Sequence, residues 1–288
     1  MNVPETGKDG VSMATATDYT MDDLICACIS HQIEDGDALA QGIATPLVAA
    51  GFLLAQRTHA PNLIYASAIG NVVCREGAPL GLTRAEDFWL GHALCLLDFG
   101  EAACEMLPTL HPKEFIRPAQ VDPFGNTNNV VVGDYYHPRL RLPGCGGIAD
   151  LGSFHPNVYL YVPRHSPALF VESLDFVSGL GMPSPERPGE RPGPRLLISD
   201  LGVLDFEGGR LRVVSLHPGV TLETIQKKTG FPLEVSPDLH ETAPPTVEEV
   251  RLLRDEIDPL GIRELERMRG GQRRRRMREI VQAESLAG

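Results

Sequence analysis

Two stretches hold residue types from which a site can be built. The first, RLPGCGGIADLGS from Arg141 to Ser153, sets Gly144, Gly146 and Gly147 around Cys145. Glycines leave backbone N–H groups uncovered, so such a loop can approach an anion or a developing oxyanion closely. The same composition serves a plain tight turn, and it has neither the GxGxxG spacing of a dinucleotide site nor the GK[ST] of a phosphate loop. Cys145 reads as a thiol nucleophile or, more simply, as a small residue filling the turn. The second stretch, AQVDPFGNTNN from Ala119 to Asn129, predicts a type I turn at Asp122–Gly125 with Gln120, Asn126 and Asn128 at its ends. Uncharged amides there either satisfy the turn's backbone or orient a carbonyl- or amide-bearing substrate.

A third stretch matters for what it lacks. HAPNLIYASAIGNVV, His59 to Val73, contains a short apolar strand, LIYAS, and open α/β proteins gather their chemistry past the carboxyl ends of such strands. Yet no acid, base or thiol stands between Ala60 and Val73, and past Leu63 the polar side chains are Tyr65, Ser67 and Asn71. A serine nucleophile needs a base beside it, which the sequence does not place next to Ser67. Cysteines at 26, 28, 74, 95, 104 and 145 are irregularly spaced, Cys26-x-Cys28 is too tight for a zinc knuckle, and no HxxxH or HExxH pair occurs. No metal site is expected. Buried free thiols in LICACI and HALCLL, and a reducing cytoplasm, fit this usage.

The elements that must position these stretches alternate in type. Residues 1–18 are small and polar and read as a flexible lead. TMDDLICACISHQI predicts a helix capped by Thr20, with Asp22 and Asp23 at its positive end. GDALAQGIATPL predicts a strand, a glycine-containing turn and a helix opened near Pro46. After LIYAS, Thr83 and Glu86 form a capping-box pattern for a further helix. Strands are expected near 115–120, 129–133, 158–162, 168–171, 196–199 and 211–215, with helices at TLETIQKKTG and TVEEVRLLRDEI. Met182–Pro194, rich in Pro, Gly and charge, reads as a surface loop rather than a domain linker. The tail from 261 to 288 is basic and helical, with RMRGGQRRRRMREI read as a solvated end. The pattern is that of an open α/β/α sandwich, with one domain over 19–260.

Composition narrows the function. With 42% hydrophobic and 22% charged residues the chain is an ordinary globular one with room for a substantial core. Its net charge of −12 opposes general nucleic-acid binding. Apolar runs such as TPLVAAGFLLA are shorter than the roughly 20 residues of a membrane span, and the N-terminus shows no basic start followed by an apolar core. Neither a nucleic acid nor a membrane is an expected partner.

Five segments in register then point to a family: DGDALAQGIATPLVAA, AQVDPFGNTNNVVVGDY, LRLPGCGGIAD, SDLGVLDF and SLHPGVTLETIQKKTGF. Over about Asp22 to Pro259 the chain resembles the β subunit of class I coenzyme A transferases, in the glutaconate CoA-transferase-like branch. ALFVESLDFVSGLGMP, SLHPGVT and EIDP are most similar to the steroid ring-opening CoA hydrolases of that superfamily.

The resemblance implies a sandwich of the CoA-transferase (NagB/RpiA-like) type and an α subunit, in an assembly of two α and two β subunits, with the active site at the shared face. It implies that Gly144, Gly146 and Gly147 hold the thioester oxygen, that Gln120, Asn126 and Ser67 orient substrate, and that Gly42, Ala44 and Thr45 lie near the CoA arm. Coenzyme A enters as part of the substrate, with no permanently bound cofactor. Family transferases work through a glutamate in a short ESG or ENG stretch just after a strand, and here the matching residues are Ala66-Ser67-Ala68. The nucleophile is missing. Three readings stay open: half of a hydrolase or lyase whose base comes from the α subunit, a conventional CoA transferase, and a non-catalytic structural subunit.

Overall fold

The computed structural model describes residues 14–40, 42, 45–67, 71–85 and 90–287, the side chains of Ser67, Phe99, Ala103 and Ala287 excepted. Its strands are β1 (Ala38–Ala40), β2 (Ile64–Ser67), β3 (Val72–Cys74), β4 (Ala93–Leu96), β5 (Lys113–Ile116), β6 (Gln120–Val121), β7 (Thr127–Asn128), β8 (Val131–Gly133), β9 (Pro138–Arg141), β10 (Val158–Val162), β11 (Leu196–Ser199), β12 (Gly202–Asp205), β13 (Arg212–Leu216) and β14 (Glu234–Glu241). Ten of them form one sheet in the order β14-β13-β12-β11-β10-β5-β1-β2-β3-β4. The centre, from β11 to β2, is parallel. Antiparallel strands flank it on both sides. Strand β1 pairs with β2 on one side and β5 on the other, so the strand order reverses there. Such a reversal opens a crevice past the carboxyl ends of β1 and β5, the usual ligand position in open sheets.

Helices α1 (Met21–Ser30) and α2 (Pro46–Thr58) cover one face. Thr20 closes α1 with a capping box: its hydroxyl accepts from the Asp23 N–H, and the Asp23 carboxylate accepts from the Thr20 N–H. Pro46 opens α2, where a missing N–H costs nothing. The helices touch closely at Gly51, where a Cβ would stand 2.6 Å from Ile29 Cγ2. Their core joins Leu24, Ile29, Phe52 and Leu53 to Leu39, Tyr65, Phe115 and Tyr159 of the sheet. The alternate residues Ile116, Val158, Leu160 and Val162 point the other way, into a second core with Phe170, Leu204, Ile225 and Phe231. All of β10 is buried, as expected of a central parallel strand.

Several expectations need correction. The strand expected at 115–120 is broken, because Pro118 has no N–H to donate and β6 belongs to a separate ribbon with β7. The segment 168–171 is no strand. The Leu169 and Phe170 N–H groups both turn back onto the Ser166 carbonyl at 3.0 Å, leaving one isolated bridge from Phe170 to Val121. The polar lead is paired from Ala14 onward, where Ala16 N–H donates to the Pro245 carbonyl and Thr15 bridges Thr246, while residues 1–13 lie outside the described residues. Glu86 also lies outside them, and Thr83 donates its N–H and hydroxyl to the Glu284 carboxylate. Met182–Pro194 is a loop between the adjacent strands β10 and β11, pinned by Arg191 on the carbonyls of Gly181, Met182 and Arg187.

The chain beyond 261 is not simply a solvated end. Ile262, Arg263, Leu265 and Glu266 are buried in the body before the helix Gly270–Ala287 begins, and Ile280 of that helix is buried too. Among the described residues no helix is long and apolar enough to cross a membrane, and no three His, Cys, Asp or Glu residues are grouped to hold a metal ion.

Candidate functional site

The turn after β1 is tied from below. Thr45 donates its hydroxyl to the Gly42 carbonyl at 2.8 Å, closing the turn at the head of α2; Ala44 lies outside the described residues. The Leu47 N–H, one of the helix's first donors, is accepted by Glu266 Oε1 at 3.0 Å. Glu266 Oε2 accepts from Arg117 Nη1 at 2.7 Å and from the Tyr161 hydroxyl at 3.0 Å. Burial raises the Glu266 carboxyl, while Arg117 and the Leu47 N–H pull it back. One buried carboxylate thus ties together the α2 entrance, the residue following β5 and a tyrosine of β10. The local sequence reading missed Arg117 and Glu266, since they are 149 residues apart.

The end of β2 has no chemistry of its own. Ala66 is fully buried. Tyr65 faces α2 and donates to Gln56 Oε1 at 3.1 Å, so it serves the core. The Ser67 side chain lies outside the described residues. Asn71 adopts φ 55°, and its buried side-chain oxygen has no donor among the described residues.

Sheet register supplies an acid that the local sequence reading did not find. Val158, Glu114, Ala40, Ala66 and Val73 are successive cross-strand partners, so they share one face. Glu114 stands two strands from Ala66, about 10 Å at ordinary strand spacing, with only the methyl of Ala40 between. Among the described residues its partly buried carboxylate has no hydrogen bond or ion pair, and burial pushes it from 4.5 up to about 7. Between those values the folded chain binds this proton more tightly than the unfolded one. Its contribution to stability therefore falls as pH rises, with the full penalty above pH 7. Glu114→Gln should raise the urea midpoint at pH 8 and leave it unchanged at pH 4. Equal midpoints at both pH values would show that the carboxylate is not desolvated.

The amide cluster serves the fold. Asn126 is fully buried, donates to Asp122 Oδ2 at 2.7 Å and accepts the Gly181 N–H at 2.9 Å. Gln120 is buried too, donating to Asp175 Oδ2 and accepting from Asn128 Nδ2. In this chain the side-chain polar groups of Gln120 and Asn126, expected to orient substrate, have the partners that burial demands.

The glycine loop follows the β8–β9 hairpin. The Gly144 N–H is taken by the Asn129 carbonyl at 2.9 Å, and Leu142 N–H by Val130. Gly147 caps the helix Ile148–Phe154 with φ 77°, a conformation that suits glycine. Around Gly144, Gly146 and Gly147 a Cβ would meet nothing within 4 Å. The loop is open, and the N–H groups of Gly146 and Gly147 have no acceptor among the described residues. All six cysteines are free; Cys145 is partly exposed, Cys26, Cys28 and Cys74 are buried, and Cys95, expected to be buried, is exposed on the terminal strand β4. Among the described residues no hydrogen bond joins this loop to the β2 end or to the Gly42–Pro46 turn.

The sheet order and the open glycine loop define an α/β protein built on a mostly parallel central sheet. No protein-family model matches the chain. It is 31% identical over 256 residues to the β-type subunit of 3-oxoadipate CoA-transferase from Pseudomonas knackmussii, covering 82% of this chain and 92% of that one. It is 30% identical over 248 residues to the cholesterol ring-cleaving hydrolase IpdB subunit of Mycobacterium bovis, covering 84% and 96% respectively. The crystal structure of glutaconate coenzyme A-transferase from Acidaminococcus fermentans superimposes with a TM-score of 0.73 at 28% identity, over 84% of this chain and 96% of that one. The chain belongs to the CoA-transferase family, among its β-type subunits.

Proposed function

We propose that this chain is the β-type subunit of a cytoplasmic, heteromeric enzyme that adds water to an acyl-CoA thioester bearing a cyclic β-ketone, with its general base supplied by an α-type subunit. The observation that carries this reading is the β2 end, where no acid stands from Ala60 to Val73 and the stretch read as matching the family's ESG is Ala66-Ser67-Ala68. Relatives in the family include both CoA-transferases and a ring-cleaving hydrolase, and only the transferase route needs a nucleophilic carboxylate there. In the hydrolytic route water attacks the ketone carbon and the bond to the α-carbon breaks. The electron pair moves into the thioester as an enolate, which is then protonated. The open N–H groups of Gly146 and Gly147 suit the enolate oxygen.

A partner is supported by apolar surface. Leu94 and Leu96 on the terminal strand β4 are exposed, Leu96 by 68%, as are Leu140 and Phe154, the last by 80%. Leu94 and Leu96, two residues apart on one strand, offer an apolar edge that a partner would cover. Six free thiols support a reducing compartment.

The test is covalent trapping on the assembled enzyme, incubated with an acyl-CoA and then with borohydride or hydroxylamine. Every peptide of this chain should remain unmodified. A trapped Glu or Asp here, Glu114 included, would restore the conventional transferase. A stable, fully active homomer would overturn the need for a partner.

A further inference from the structure

Past the carboxyl ends of β5 and β10 guanidinium groups gather, and Arg164, Arg269 and Arg273 have no ion pair among the described residues. Strands β5 and β10 are adjacent and parallel, with Leu160 beside Ile116, so Arg117 just past β5 is level with Tyr161, and Arg164 follows three residues further along the neighbouring strand's exit. Glu266 fixes Arg117 and stands three residues before Arg269, one turn ahead of Arg273 in the C-terminal helix. The charges of Arg269, Arg117 and Arg273 all act on Arg164. Burial first, and those three cations second, hold its guanidinium below the ordinary arginine range; Asp200 offsets them in part. Asp200 itself accepts the His165 N–H at 2.7 Å.

Among the described residues no carboxylate lies within ion-pair distance of Arg164, Arg269 or Arg273. Arg117 has only Glu266, whose oxygens also serve Tyr161 and Leu47. Four guanidinium groups from three distant stretches thus converge in a chain of net charge −12, where acids to pair them are plentiful. Uncompensated like charge is unfavourable, so a complementary anion bound here gains from Arg164, Arg269 and Arg273 above all, with Arg117 already paired to Glu266.

We propose that Arg117, Arg164, Arg269 and Arg273 form the binding site for the phosphate groups at the nucleotide end of the coenzyme A thioester, a proposal that rests on the acyl-CoA reading above. Location favours this occupant. Glu266 joins Arg117 to the first turn of α2, which places the arginines beside the Gly42–Pro46 turn and in the crevice where the strand order reverses. Chemistry favours it as well, since guanidinium forks match phosphate oxygens in pairs. The arginine-rich stretch before and within the C-terminal helix then has a function at Arg269 and Arg273, which are exposed, as are Arg274, Arg275 and Arg278.

The experiment is calorimetric titration of the assembled heteromer with coenzyme A, dephospho-coenzyme A, pantetheine and inorganic pyrophosphate. Wild type should bind coenzyme A far more tightly than pantetheine. Arg164→Gln combined with Arg273→Gln should weaken coenzyme A by about 10- to 100-fold, the scale of one or two lost charge-assisted bonds. Pantetheine binding should not change. An unchanged coenzyme A affinity, or an equal loss for pantetheine, would overturn the proposal. So would dissociation of the variant's subunits, which would make the patch a protein contact. Arginine-dependent binding of pyrophosphate without binding of coenzyme A would overturn the acyl-CoA reading itself while keeping an anion site.

Discussion

Arg263→Leu is expected to lower the stability of the fold by about 3–5 kcal/mol, the usual cost of removing one partner from a buried ion pair. Arg263 is buried between two carboxylates that are fully shielded from solvent. It donates Nη2 to Asp23 Oδ1 at 2.7 Å and Nη1 to Asp258 Oδ2 at 2.8 Å. Asp258 also accepts the N–H groups of Ile262 and Arg263, so it shapes the turn that carries Glu266. Burial works to raise Asp23, but the Thr20 N–H, Arg263 and Arg254 together hold it below the usual carboxylate range. Burial raises Asp258 despite Arg263. Without the guanidinium both acids keep their desolvation cost and lose their main counter-charge. Urea unfolding at pH 7 measures the loss, and a change under about 1 kcal/mol would mean that water or Arg254 replaces Arg263. Because the same turn presents Glu266, the variant should also weaken the tie between Arg117 and the start of α2.

Gly146→Val is expected to lower turnover by about 10²-fold or more in the assembled enzyme, the scale of losing one oxyanion donor. The position separates chemistry from folding. Gly146 does not have a positive φ, and a Cβ there meets nothing within 4 Å, so a side chain is accommodated without strain. Its thermal midpoint should match wild type. Gly147 makes the contrast: at φ 77°, capping the helix Ile148–Phe154, a valine forces a left-handed backbone at roughly 1–2 kcal/mol. Both variants should lose activity, but only Gly147→Val should also lose stability. Near-normal turnover in folded, assembled Gly146→Val would reduce the loop to a turn.

What the sequence by itself determined about this protein is local. Thr20 with Asp23 specifies where α1 starts, Pro46 where α2 starts, and unbroken apolar runs specify β10 and β11, because caps, proline and periodicity act within a few residues. The absence of an acid after LIYAS is also complete in the sequence. The tertiary structure decided everything that depends on register. Glu114 joins the row of Ala66 only because β1 lies between their strands. Glu266 reaches Arg117, Tyr161 and Leu47 only because the chain after 261 folds back into the body. Gln120 and Asn126 looked equally suited to substrate or to turn, and only the fold shows that their partners within the chain are Asp175 and Asp122, the first of them 55 residues from Gln120. Strand pairing and buried hydrogen bonds are settled by long-range packing, in which a partner's distance along the chain carries no local signal.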